Sequence, residues 1–257
     1  FINLFLLRDI KTDISKTFTL LIILFSLIVS LKSFYFLYLV LLPVMLYYLV
    51  LDNKFHELKI VFKNPFFYLS LILTVMVLLS YFFNTGCFIY PVSFTCVESL
   101  DWSLKVIDVK QMNNWYEQWS KAGATPNFRV ENPEVYIQKF NWVGNWMKLY
   151  FFNKVSDYLL GLFFMSIVFL ILFKGNLRKN RKSFKFLYYY LAIILLFIEW
   201  FYNHPALRYG GYVLMALILF LPLSNFLSNL VNLNKIKIKV YGLILLVFLI
   251  FFSRNVD

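Results

Sequence analysis

Charge is what this chain has least of. Charged residues make up 15% of its 257 positions and hydrophobic residues 61%, whereas in soluble domains roughly one residue in four is charged. That shortage excludes an ordinary soluble globular domain. Cysteine is nearly absent too: Cys87 and Cys96 are the whole complement. Two cysteines exclude a disulfide-dense scaffold and, with no second pair and no nearby histidine, give no reason to expect zinc or any other metal. There is no Gly-rich phosphate loop, no Gly-x-Ser-x-Gly elbow and no His-Glu-x-x-His. No Ser/His/Asp set can be assembled around the two histidines, His56 and His204, so no catalytic residue and no cofactor is read from motifs. A cleavable signal is also missing, because the first strong apolar run is followed by others of equal strength.

What the chain does have is long apolar runs, rich in its 31 Phe and 18 Tyr. A bilayer-spanning helix needs about 20 apolar residues. The candidates are Phe18 to Leu31, Phe34 to Leu51, Pro65 to Phe83, Val155 to Phe173, Phe186 to Tyr202, Gly211 to Leu227 and Val240 to Phe252. The first two form one stretch too long for a single crossing, and Lys32 with Ser33 interrupts it, which predicts a tight helical hairpin with Lys32 at the turn. The expected fold is therefore all-α: a polytopic membrane bundle of about seven transmembrane helices. Residues 1–84 form an N-terminal membrane region of three helices, 85–150 an external tryptophan-rich segment, and 151–257 a C-terminal membrane region of four. The chain begins at Phe1 in mid-pattern and stops at Asp257 just after an apolar run, and we read it as a piece of a longer transporter or transferase.

Orientation follows from the cations, because Lys and Arg of short loops stay on the cytoplasmic side. Lys174, Arg178, Lys179, Arg181, Lys182 and Lys185 stand in a run without an acid, as do Lys235, Lys237 and Lys239. Lys54, Lys59 and Lys63 mark a third loop, which also holds His56. These agree only when Thr85 to Tyr150 and Asn203 to Gly210 lie on the opposite face. The net charge of +12 is thus a topology signal, and nothing matches a nucleic-acid-binding module.

Within the external segment, Glu98, Asp101, Asp108, Glu117, Glu131 and Glu134 balance Lys105, Lys110, Lys121, Arg129, Lys139 and Lys148, the composition of a folded polar element. Cys87 and Cys96, on the predicted oxidising side, are expected to pair. Leu104 to Ser120 reads as an interfacial amphipathic helix with Met112, Trp115 and Trp119 on one face. Asn132 and Pro133 are a cap and first turn. From them Tyr136, Phe140, Val143, Met147 and Tyr150 continue as one helical stripe into the Val155 span. Trp102, Trp115, Trp119, Trp142 and Trp146 have two readings: headgroup anchoring or packing, and stacking on a sugar whose phosphate Lys121 or Arg129 would hold.

The most chemically loaded stretch is Glu199 to Tyr212, where a carboxyl, an imidazole and a guanidinium sit on a connection too short to leave the membrane surface. Ionisable groups at membrane depth are costly when unpaired, which makes them functional candidates by default. Pro205 stops the incoming helix, and Gly210 and Gly211 ease the start of the next. Arg208 can fork onto a phosphate, with His204, Tyr209 and Glu199 beside it as substrate contacts. The alternative reading pairs Glu199 with Arg208 and has His204 cap a helix end.

Gly86-Cys-Phe-Ile-Tyr-Pro91, the Trp115 to Trp146 segment and His204-Pro-Ala-Leu-Arg-Tyr-Gly210 carry a resemblance. In them the chain resembles the C-terminal part of uncharacterised bacterial polytopic membrane proteins of surface-polysaccharide gene clusters, similar in layout to the GT-C glycosyltransferases. The resemblance implies a multi-pass protein of the bacterial inner membrane that uses a polyprenyl-phosphate-linked sugar. It implies no catalytic base here, since the acidic first external loop of that superfamily has no counterpart in this chain. By analogy Arg208 and His204 would contact the donor phosphate. The other readings are an O-antigen polymerase or ligase, a glycolipid transporter, and a structural membrane subunit.

Overall fold

The computed structural model describes residues 14–51, 58–125, 130–173 and 187–223, with helical residues at 241–242, 244–249 and 252. His56, Arg129, the cationic run 174–185 and the 235–239 loop lie outside the described residues. Among the described residues every extended element is a helix, and the only β feature is an isolated bridge between Cys87 and Cys96.

Helix α1 (Ile14–Leu31) ends at Lys32, which is extended (φ −154°, ψ 127°), and α2 (Ser33–Leu51) turns back from it. The Phe25 and Phe36 rings meet 6.0 Å apart across that turn. Helix α2 opens as a 3₁₀ helix over Ser33–Val40 and continues as α-helix over Leu41–Leu51. At about 2.0 Å per residue for the first part and 1.5 Å for the second it is about 32 Å long, enough to cross a hydrocarbon layer of about 30 Å. After the short α3 (Leu58–Val61), α4 (Pro65–Thr85) begins with Pro65 at its first position and the Asn64 side chain accepting from the Phe66 N–H. Helices α1 and α4 are joined by polar side chains. Ser26 Oγ lies 2.5 Å from Thr74 Oγ1, and the Tyr81 hydroxyl donates to the Val29 carbonyl at 2.7 Å. Where neighbouring lipid is as apolar as leucine, such bonds and close packing hold helices together.

Helix α4 ends at Gly86, whose φ of +77° favours glycine and whose Cα faces Ser103 so closely that a Cβ would stand 2.4 Å from the serine Cβ. The loop that follows is closed by a disulfide between Cys87 and Cys96, and contains a cis bond before Pro91. It leads to α5 (Val106–Lys121), close to the expected amphipathic helix, with Val109, Ser120 and Lys121 buried and Trp115 exposed.

The expected unbroken stripe from Tyr136 to Tyr150 does not form. Helix α6 (Pro133–Ile137) is one turn long, and Asn132 makes no side-chain cap. The chain then passes through Lys139 at φ +51° before α7 starts at Val143. Side chains stabilise the break by taking carbonyls at the helix end: Lys121 donates to Ile137 O at 3.0 Å and Asn141 to Val135 O at 3.0 Å, while the Trp142 indole donates to Lys139 O at 3.1 Å. Helix α7 runs through a π-helical stretch, Met147–Val155, into Ser156–Phe173. Its 29 residues from Val143 to Ile171 extend about 43 Å, so its start lies well before the Val155 boundary expected from hydropathy. Helix α8 (Leu187–Asn203) and α9 (Leu207–Leu223, π-helical over Ala216–Phe220) follow.

Three of these helices, Ser33–Leu51, Pro65–Thr85 and Val143–Ile171, are long and apolar enough to cross a membrane, and Phe18–Leu31, Leu187–Asn203 and Leu207–Leu223 are shorter apolar helices. Large apolar side chains face outward along them: Phe66, Ile72, Met76 and Phe83 on α4, and Leu160, Phe163 and Ile171 on α7 are each more than half exposed. A surface of that kind suits lipid, not water.

Candidate functional site

The chemistry gathers at one end of the bundle, where the α1–α2 turn, α5 and the α8–α9 connection meet. That connection, His204 to Ala206, is short and has no helical ladder of its own. Four hydrogen bonds place it. The Trp146 indole donates to Pro205 O at 3.0 Å and the Trp200 indole to Ala206 O at 2.8 Å; the Leu207 N–H donates to the Tyr150 hydroxyl at 2.9 Å, and the His204 N–H to Trp200 O at 2.9 Å. Trp200 lies so close against Gly210 that a Cβ there would be 2.0 Å from the indole Cδ1. Glycine at 210 is therefore needed for close approach. Trp142, Trp146 and Trp200 are buried, and their indoles are packing elements, not a platform for a sugar. Trp102 and Trp115 remain about half exposed.

On this scaffold Arg208 is exposed, and among the described residues its guanidinium has no acid partner. The expected alternative, a Glu199–Arg208 pair, is not formed: Glu199 accepts from Asn203 Nδ2 at 3.1 Å instead. Beside Arg208 stands Lys32, whose ammonium donates to the Arg208 carbonyl at 2.8 Å and lies over the rings of Tyr209 (5.5 Å) and Tyr35 (5.9 Å). Partial burial, and then the repulsion of Arg208, lower the Lys32 pKa. Among the described residues neither cation has an acid partner, a pair of charges that an anion would satisfy. Sequence reading took Lys32 only as a turn marker. The signal that could have found it was a lone cation interrupting a run of apolar residues.

Tyr209 is the hub of an aromatic collar. Its ring is within 5.4 Å of His204, 5.8 Å of Phe34 and 6.1 Å of Trp119. His204 is enclosed between Phe34 and Tyr209, and among the described residues its Nδ1 is buried without a hydrogen-bond partner. Burial, with the Lys121 ammonium adding to it, pushes its pKa down to about 4, so the imidazole is neutral at neutral pH.

Lys121 is a correction. It is fully buried; its ammonium bonds the Glu117 carboxylate and Ile137 O and lies over Trp142 (5.3 Å) and Tyr202 (5.1 Å). The Tyr136 hydroxyl donates to its carbonyl at 3.0 Å. A lysine with those partners locks α5 to the 133–146 segment and has no access to a substrate. Arg129, the other cation expected to help it, lies outside the described residues. No group of three or more His, Cys, Asp or Glu side chains suited to a metal converges among the described residues.

No curated protein and no solved structure matches the chain. The family described as "Domain of unknown function (DUF8201)" matches residues 1–215, a stretch that contains Lys32, His204 and Arg208 and reaches into α9. The chain belongs to that family.

Proposed function

We propose that this chain is a glycosyltransferase-like protein of the bacterial inner membrane, acting on a polyprenyl-phosphate-linked sugar in cell-surface polysaccharide synthesis. In this reading Lys32 and Arg208 hold the phosphate. The observation that carries it is the juxtaposition of these two cations, without an acid partner among the described residues, at the end of long apolar helices. An anionic headgroup attached to an apolar tail is the ligand that such a place suits, since it satisfies the charges while its tail stays in lipid. The topology supports the same face for every part of the site. With about seven spans and the acid-free cation runs in the cytoplasm, the Lys32 turn, the 85–150 segment and the 203–210 connection all lie outside. Helix α5 then rests at the outer interface.

The test is binding of undecaprenyl phosphate to the protein in nanodiscs, followed by release of undecaprenyl phosphate from its hexose-linked form as the readout of transfer. Arg208→Lys loses the planar fork, and Lys32→Gln loses a charge; each should weaken binding at least tenfold, about 1.4 kcal/mol or more for a charge-assisted bond. Well-folded Arg208→Lys with wild-type affinity defeats the reading.

A further inference from the structure

Below the two cations the helices line up a column of hydroxyl groups that phosphate binding leaves unused. Its origin is the 3₁₀ start of α2. With three residues per turn, Tyr35 and Tyr38 eclipse one another, whereas an α-helix would set them about 60° apart. The Tyr35 and Tyr38 rings are 5.9 Å apart, close to the pitch of about 6 Å, and the Lys32 ammonium, just ahead of the 3₁₀ helix, is 5.9 Å from the Tyr35 ring. Facing this column, Arg208 and Tyr212 stand one turn apart on α9, and Asn203 and Glu199 one turn apart on α8. The Tyr35 and Tyr212 rings meet edge to face at 5.7 Å. Tyr35, Tyr212, Glu199 and Tyr158 each lie within electrostatic reach of Tyr38.

Two features distinguish this cluster from a closed structural network. The Tyr38 hydroxyl is buried without a hydrogen-bond partner among the described residues, an arrangement proteins ordinarily avoid. Tyr212 is 56% exposed, so the cluster is open on one side.

We propose that this column, Tyr35, Tyr38, Tyr212 and Glu199, binds the sugar of the lipid-linked substrate. The inference rests on the reading that Lys32 and Arg208 hold the phosphate. A sugar bonded directly to that phosphate must begin within one helical turn of the cations, and Tyr35 and Tyr212 are at that depth. Phenol hydroxyls both donate and accept, the carboxylate accepts, and ring faces take C–H groups, which together match a polyol and not a hydrocarbon. Tyr38, a turn deeper, reads the far end of the ring with a hydroxyl that has no other partner among the described residues.

The experiment compares two probes in nanodiscs, undecaprenyl phosphate and the same lipid carrying one hexose. Wild-type protein should hold the hexose lipid more tightly. Tyr38→Phe and Tyr212→Phe, which keep the rings, should each weaken the hexose lipid about five- to tenfold, as expected for one lost hydrogen bond, and leave undecaprenyl phosphate unchanged. Lys32→Gln should weaken both lipids. The sugar assignment is overturned when both tyrosine variants bind both lipids like wild type, or lose both in parallel. A wild-type protein that binds neither lipid overturns the phosphate reading along with it.

Discussion

Replacing Lys121 by methionine isolates the distinction between a cation that builds the site and one that serves it. Methionine keeps an unbranched apolar side chain between Trp142 and Tyr202, so the change removes charge and donors with little loss of volume. Two partners are left behind: the Ile137 carbonyl, at a helix end, and the Glu117 carboxylate, whose side chain is 19% exposed against 0% for Lys121. Removing one partner of a buried ion pair costs about 3 to 5 kcal/mol. Because Glu117 can reach some water, the lower figure applies. At about 2 to 4 °C per kcal/mol for a chain of this size, 3 kcal/mol lowers the unfolding midpoint by about 6 to 12 °C. The assay is thermal unfolding in detergent followed by tryptophan fluorescence, with Trp142 as a reporter at the site. The double variant Lys121→Met, Glu117→Leu should recover part of the loss, because only the carbonyl remains unpaired, at about 1 to 3 kcal/mol. Undecaprenyl phosphate binding by the folded fraction should stay normal. A midpoint shift below about 2 °C in Lys121→Met, against the 6 to 12 °C worked above, or strictly additive single variants, would refute the buried lock.

Gly210→Ala places a Cβ 2.0 Å from the Trp200 indole; the expected cost is about 1 to 3 kcal/mol of overpacking, read as a lower unfolding midpoint and a red-shifted fluorescence maximum as Trp200 moves. For His204 the folded pKa of about 4 lies below the ordinary 6.5, so the unfolded chain binds the extra proton between those values. Stability from its burial is full above pH 6.5 and is lost as pH falls toward 4. Unfolding midpoints across that window should fall more steeply for wild type than for His204→Gln, and parallel curves would contradict it. The Cys87 to Cys96 bridge should appear as a linked pair in mass spectrometry of non-reduced peptides, and Cys87→Ser with Cys96→Ser should lower stability by about 2 to 3 kcal/mol for so short a loop.

The apolar helices were legible from sequence because hydropathy is a local property and length alone relates a run to the bilayer. Helix starts at Pro65 and near Leu104 were legible for the same reason, since proline and amphipathic spacing act within a turn or two. The interruption at Lys32 was visible, and so was the chemical load of 199–212. What could not be read was through-space. That Lys32 meets Arg208 across 176 positions depends on how α2 packs against α8 and α9, and that Tyr35 and Tyr38 stand in line beneath it depends on a 3₁₀ register that their aromatic and aliphatic neighbours do not encode. Lys121 shows the converse. In sequence it is one more cation of a polar segment, and only the burial of its ammonium between Trp142, Tyr202 and Glu117 turns it from a candidate ligand into a structural lock. The break at Lys139 has in part the same cause, because the Ile137 carbonyl at the end of α6 is satisfied by Lys121 from α5. Local pattern determined which segments are helical and apolar; tertiary packing decided which charged groups meet, because a partner's identity is set by contacts that no window of sequence contains.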